Sequence, residues 1–78
     1  MPRKTATVSI AGASSVVNVE LHGEDTVVDV LQSALKTLGL PKESVTALEA
    51  VQDGQDAKMS DPVATGSVVT AASRVANG

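Results

Sequence analysis

A chain without a single Phe, Tyr, Trp or Cys has one way to build an interior: it must pack short aliphatic side chains against one another. No disulfide can staple such a chain and no thiolate can hold a metal in it. With 78 residues there is room for one small domain, so residues 1–78 are expected to fold as a single unit. The hydrophobic share of 42%, the charged share of 19% and a mean hydropathy of +0.13 supply enough Val, Ala, Leu and Ile for a core, and argue against disorder.

The same composition removes whole classes of function. Six basic against nine acidic residues give a net charge of -3 and a pI of about 4.8, which offers no general attraction to nucleic-acid phosphates or anionic lipid. Without aromatic rings there is no stacking platform for single-stranded nucleic acid. No apolar run approaches the ~20 residues needed to cross a bilayer. The segment after Met1-Pro2-Arg3-Lys4 alternates rather than forming a secretory apolar stretch. Neither a nucleic-acid nor a membrane partner is expected, and the expected compartment is the cytoplasm.

Hydrophobic periodicity divides the chain. In Thr7-Val8-Ser9-Ile10, Val8 and Ile10 share one face; after the small-residue cluster Ala11-Gly12-Ala13-Ser14, Val17, Val19 and Leu21 alternate with Asn18 and Glu20. Two such runs across a Gly-containing break predict a β-hairpin. The period then changes. Thr26-Val27-Val28-Asp29 has the form of a capping box, and Val27, Val30, Leu31, Ala34, Leu35 and Leu38 recur at helical spacing. This predicts an amphipathic helix of about three turns. Gly39 suits a left-handed C-terminal position, Leu40 can fold back on the helix, and Pro41 stops it.

Val45–Val51 is ambiguous between strand and helix, but the Asp53-Gly54 turn signal favours a strand there, with Ala57-Lys58-Met59 returning. Val68–Val75 is the last extended stretch, with Val69 and Ala71 inward and Val68, Thr70 and Ala72 outward. Hairpin, helix, second β-pair and final strand predict an α+β domain: a mixed sheet with one covering helix, in the order ββαββ(β). The last strand is expected in the centre beside the first, where its edges are protected.

Catalytic chemistry finds little support. His22, the sole histidine, lies near Glu24 and Asp25, which gives a weak metal or acid–base reading; a polar turn explains the same residues. The chain has no nucleophile-elbow, P-loop or dinucleotide-binding glycine pattern. Asp53, Asp56 and Asp61 lack the spacing and terminal Glu of an EF-hand loop and read as a solvated acidic loop. An enzyme is the least expected class, and no cofactor or metal is implied. The end of the sequence offers another kind of chemistry. Ala76, Asn77 and Gly78 are small enough to thread a narrow channel, and Gly leaves its carboxylate accessible. A frayed, flexible tail over 76–78 accounts for the same residues.

Element order and tail together resemble the β-grasp superfamily of ubiquitin-like proteins, especially the small bacterial ThiS/MoaD-type sulfur carriers and the bacterial ubiquitin-like modifiers. The likeness runs from about Thr5 to Gly78. Val8-Ser9-Ile10-Ala11-Gly12 looks like the family's first strand and turn. Glu24–Leu31 looks like its "D-x-T-V-x-D-L-L" helix start. Val51-Gln52-Asp53-Gly54 looks like its "V-N-G" turn, and Thr65-Gly66-Ser67-Val68-Val69 like its "D-G-D-x-V" run into the last strand.

The resemblance implies that an E1-like (ThiF/MoeB-type) enzyme adenylates the Gly78 carboxylate, which then becomes a thiocarboxylate or is conjugated to a target. Ala76 and Asn77 would thread the activating enzyme's channel. Arg74 falls where ubiquitin has an arginine shortly before its terminus, and would help the enzyme select its partner. Beyond the E1-like enzyme, E2-like or target proteins would be partners. The family ends Gly-Gly, whereas this sequence ends Asn77-Gly78, a departure that bears most on the sulfur-carrier reading. The alternative is a non-catalytic β-grasp binding module, an adaptor or a structural or decoration subunit of a larger assembly, since fold does not imply function. Its candidate faces are the outward side of the last strand (Val68, Thr70, Ala72) and the first hairpin, with Val16 and Val68 pointing outward.

Overall fold

The computed structural model describes residues 4–11 and 16–73. Strands β1 (Thr5–Ile10) and β2 (Val16–Glu20) form the first hairpin, helix α1 (Val27–Thr37) follows, and a 3₁₀ helix over Lys42–Ala47 leads into β3 (Leu48–Gln52), β4 (Gln55–Ala57) and β5 (Val68–Ser73). The five strands make one sheet in the order β2-β1-β5-β3-β4. The last strand does lie in the centre beside the first, and that pair is parallel, with Thr7 opposite Val68 and Ile10 opposite Ala71. The other pairs are antiparallel.

Alternation decides which face is wet. Ala6, Val8 and Ile10 of β1, Val17 and Val19 of β2, Leu48 and Ala50 of β3, and Val69 and Ala71 of β5 are buried, as the period-two reading requires. Leu21 is half-buried and lies just beyond β2. The helix covers this face with Val27, Val30, Leu31, Ala34 and Leu35. Its ends are closed by local chemistry. At the N-terminus the capping box forms: the Asp29 carboxylate accepts the Thr26 backbone N–H at 3.1 Å and the Thr26 hydroxyl at 3.0 Å. The next two amides find acceptors in the segment before β5: Val27 N–H donates to the Asp61 carbonyl and Val28 N–H to the Met59 carbonyl, both at 2.9 Å. At the C-terminus Gly39 adopts φ 78°. Gly39 N–H donates to the Lys36 carbonyl at 3.1 Å and Leu40 N–H to the Leu35 carbonyl at 2.8 Å, the paired bonds of a Schellman motif. The Leu40 backbone therefore folds back on the helix, although its side chain stays 43% exposed.

Two expectations need correction. Val45, Thr46 and Ala47 belong to the 3₁₀ helix rather than to the third strand, which starts at Leu48. Buried Val45 and Leu48 are three residues apart, the 3₁₀ period, and the Thr46 hydroxyl donates to the Glu43 carbonyl at 3.0 Å. The return strand is Gln55–Ala57, not Ala57–Met59. Asp53 at φ 52° and Gly54 at φ 86° make a two-residue turn, so pairing resumes at once with Gln52 opposite Gln55. Met59 lies in the turn that follows, where the Asp61 carboxylate accepts the Lys58 N–H at 2.9 Å. The final strand is described to Ser73; Arg74 and Val75 lie outside the described residues.

Asp53 also does more than turn the chain. Its N–H donates to the Val68 carbonyl and its carboxylate accepts the Val68 N–H, both at 2.9 Å, extending the β3–β5 ladder by a side chain. Asp53 and Asp61 thus each hold a backbone amide, where the sequence suggested a solvated acidic loop, and the Asp25 carboxylate likewise accepts the His22 N–H at 2.7 Å.

Two stability measurements follow, both by far-UV circular dichroism in urea, since the chain has no fluorescent ring. Leu31→Ala, which empties a fully buried position, is expected to cost about 3 kcal/mol. Asp53→Ala is expected to cost about 1–2 kcal/mol through the lost Val68 bond, whereas exposed Asp56→Ala stays within about 0.5 kcal/mol. Equal losses at Asp53 and Asp56 would contradict the ladder role.

Candidate docking face and chain exit

The helix leaves the second face of the sheet open, and the strand register fixes which side chains meet there. One row runs across all five strands: Val16, Ser9, Thr70, Val51 and Asp56. A parallel row holds Asn18, Thr7 and Val68, and a third pairs Ala72 with Glu49. With strands ~4.8 Å apart, the long row spans about 19 Å. Val68 is 46% exposed and Val16 is 60% exposed, and both point outward as expected. Thr70 and Ala72, further along β5, are exposed as well. The Thr7 hydroxyl donates to the Asn18 side-chain oxygen at 3.1 Å across β1 and β2.

The centre of this face is neutral and made of short side chains. Its carboxylates, Glu20, Glu49 and Asp56, stand toward the margins. Among the described residues its rows hold no histidine, and Lys58 stands beside Val51 and Asp56 at its β4 edge. Among the described residues no group of three or more His, Cys, Asp or Glu is placed to hold a metal ion. His22 is exposed, and its link to Asp25 is through its backbone amide rather than its ring. Among the described residues no helix is long and apolar enough to cross a membrane.

The parallel β1–β5 pair also sets where the chain leaves the domain. Ala11 N–H donates to the Ala71 carbonyl at 2.8 Å on one side of β5, and Ser73 lies opposite Leu48 on the other. Ser73, the last described residue, therefore lies at the sheet's centre, at the end where β1 finishes and β3 begins. The expected partner-binding residues Val68, Thr70 and Ala72 share one face of the strand that ends there. Arg74, Ala76, Asn77 and Gly78 lie outside the described residues. Sequence reasoning found β5's outward side but missed Ser9 and Val51 as its neighbours. Alternation alone marked Ser9 as outward; only the register brings it beside Thr70.

At the β3–β4 edge of the open sheet face a shallow groove of about 570 Å³ is lined by Glu49, Val51, Asp56, Lys58 and Met59; another, of about 520 Å³, runs along the outer side of α1 to Leu40.

No protein-family profile and no curated protein matches the sequence. Solved structures do match over almost the whole chain. Ubiquitin of Caldiarchaeum subterraneum aligns over 99% of this chain and 100% of its own, with a TM-score of 0.67 at 19% identity. Small archaeal modifier protein 1 of H. volcanii aligns over 92% of this chain and 99% of its own, with a TM-score of 0.75 at 16% identity. The ubiquitin-like domain of an Arabidopsis thaliana protein aligns over 100% of this chain and 84% of its own, with a TM-score of 0.65 at 14% identity. At such identities the likeness is one of architecture: the chain has the β-grasp fold of the ubiquitin-like proteins.

Proposed function

We propose that this protein is a ubiquitin-like modifier or carrier whose Gly78 carboxylate is activated by an E1-like, ThiF/MoeB-type adenylating enzyme. The observation that carries the reading is the topology: the last strand, β5, lies at the centre of the sheet beside β1 and exposes Val68, Thr70 and Ala72 on one side. The near-complete structural overlap with an archaeal ubiquitin and with a small archaeal modifier protein supports it. The bacterial assignment rests on the sequence resemblance alone, and a cytoplasmic location follows from the ATP that activation would consume.

In this reading the protein is the substrate of the chemistry, not its catalyst. A carboxylate oxygen of Gly78 attacks the α-phosphorus of ATP and expels pyrophosphate, leaving an acyl-adenylate. A sulfur nucleophile or an amine of a target then displaces AMP to give the thiocarboxylate or the conjugate. Gly78 and Ala76 impose little bulk on an enzyme's channel, Asn77 tolerates left-handed backbone better than most residues, and Arg74 helps the enzyme select this chain. Val68, Thr70 and Ala72 form the docking face that holds the domain while the tail is processed. E2-like or target proteins would take the activated chain afterwards.

A second reading, a binding module or assembly subunit that undergoes no chemistry, is favoured by the exposed Val16 and Val68. Intact mass of the protein isolated from its own host separates the two. An oxygen-to-sulfur exchange at the C-terminus or an adduct through Gly78 is expected for the carrier or modifier; an unmodified chain recovered only in a large assembly would overturn it. In parallel, ATP–pyrophosphate exchange with the host's adenylating enzyme is expected to vanish when Gly78 is deleted. Val68→Asp is expected to weaken it by at least about tenfold through KM. Exchange that survives Gly78 deletion would also overturn the proposal.

A further inference from the structure

The outer side of α1 carries a second surface, remote from the docking face because the sheet lies between them. The groove there is lined by Asp25 and Asp29 at one end, Gln32 and Ser33 in the middle, and Lys36, Leu40 and Lys42 at the other. Acids gather at the helix start and bases at its end, in keeping with the helix dipole. Their order has a further property. Asp29 and Lys36, and likewise Asp25 and Leu40, are symmetrically placed about the midpoint between Gln32 and Ser33. Asp29, Ser33 and Lys36 are spaced four and three residues apart and so share one helical stripe.

A stripe of this kind is complementary to itself. When two copies of α1 cross antiparallel about a two-fold axis through Gln32 and Ser33, Asp29 of each meets Lys36 of the other, and the Asp25 end of each meets the Leu40 and Lys42 end of the other. A parallel pairing would set like charges together. Isologous contact requires that each half of the patch complement the other half, and this groove meets that condition. Ser33 at the crossing point is small and lets the helices approach closely. Leu40, 43% exposed although its backbone is locked by the helix-ending bonds, supplies an apolar contact at each end.

We propose that the α1 groove is a self-association surface, and that its occupant is α1 of a second copy of this chain in antiparallel two-fold contact. The helix has 11 residues and so is about 16 Å long. A contact of that length buries well under the ~1,200 Å² of a standard stable interface, so the dimer is weak, reversible and sensitive to salt. It leaves Val68, Thr70 and the chain exit uncovered. The inference stands whether or not Gly78 is activated.

The test uses the full chain, by sedimentation equilibrium and by amide NMR spectra recorded from about 10 μM to about 1 mM. At low salt, a monomer–dimer equilibrium is expected, with concentration-dependent shifts confined to the stretch from Asp29 to Lys36 and to Leu40. Raising the ionic strength to about 0.5 M is expected to shift it toward monomer. Lys36→Glu, at an exposed position, is expected to weaken association by at least about tenfold, while the equal charge change Lys58→Glu, outside the groove, leaves it unchanged. Ser33→Cys is expected to oxidise to a covalent dimer faster than Lys58→Cys. A chain that stays monomeric throughout, shifts that map to the open sheet face, or a Lys36→Glu chain that associates as well as the original would each overturn the proposal.

Discussion

The parallel pairing of β1 with β5 is the contact on which the rest of this structure depends. It joins the first strand to the last across most of the sequence, and closing so long a loop carries an entropic cost that local structure cannot offset. Parallel neighbours also need a long crossover, which here contains the helix and the β3–β4 hairpin. Once the pair forms, Ala6, Val8 and Ile10 lie beside Val69 and Ala71 under the helix, the core closes, and β3 gains the partner that fixes its register.

Short side chains shape the energetics. With no aromatic ring to fill space, the interior is made of Val, Leu, Ala and Ile10, and each contributes modest apolar area. In a domain of this size such a core leaves a narrow margin of stability. Backbone polar groups at the element ends therefore matter more than usual. Thr26 and Asp29 close one helix end and Gly39 and Leu40 the other, while Asp25, Asp53 and Asp61 each hold an amide that no strand or helix satisfies. Acidic residues that add to the net negative charge serve as local backbone acceptors.

The architecture gives the molecule two separated surfaces of different chemistry. The open sheet face is neutral at its centre and made of short side chains. The helix side is dipolar, acidic at one end and basic at the other, which suits a partner with the opposite order of charge. Because the sheet separates them, both surfaces can be occupied at once.

Much of this was legible in the sequence, because local rules act locally. The helix from Val27 with its cap and its glycine stop, the Asp53-Gly54 turn, and the inward and outward sides of β1, β2 and β5 follow from periodicity and turn chemistry within a few residues. The start of β3 was not legible: Val45, Thr46 and Ala47 are as suited to a strand as to a turn, and only the burial of Val45 three residues before Leu48 decides between them. Nor could the sequence reveal that Asp53 bonds to Val68 or that Ser9, Thr70 and Val51 form one row, since each pairing joins residues brought together by the sheet order. The sequence by itself determined most of the elements and the inward and outward sides of their strands. The tertiary structure alone decided which strands are neighbours, and hence which side chains share the open sheet face, because register is set by long-range contacts that no local pattern encodes.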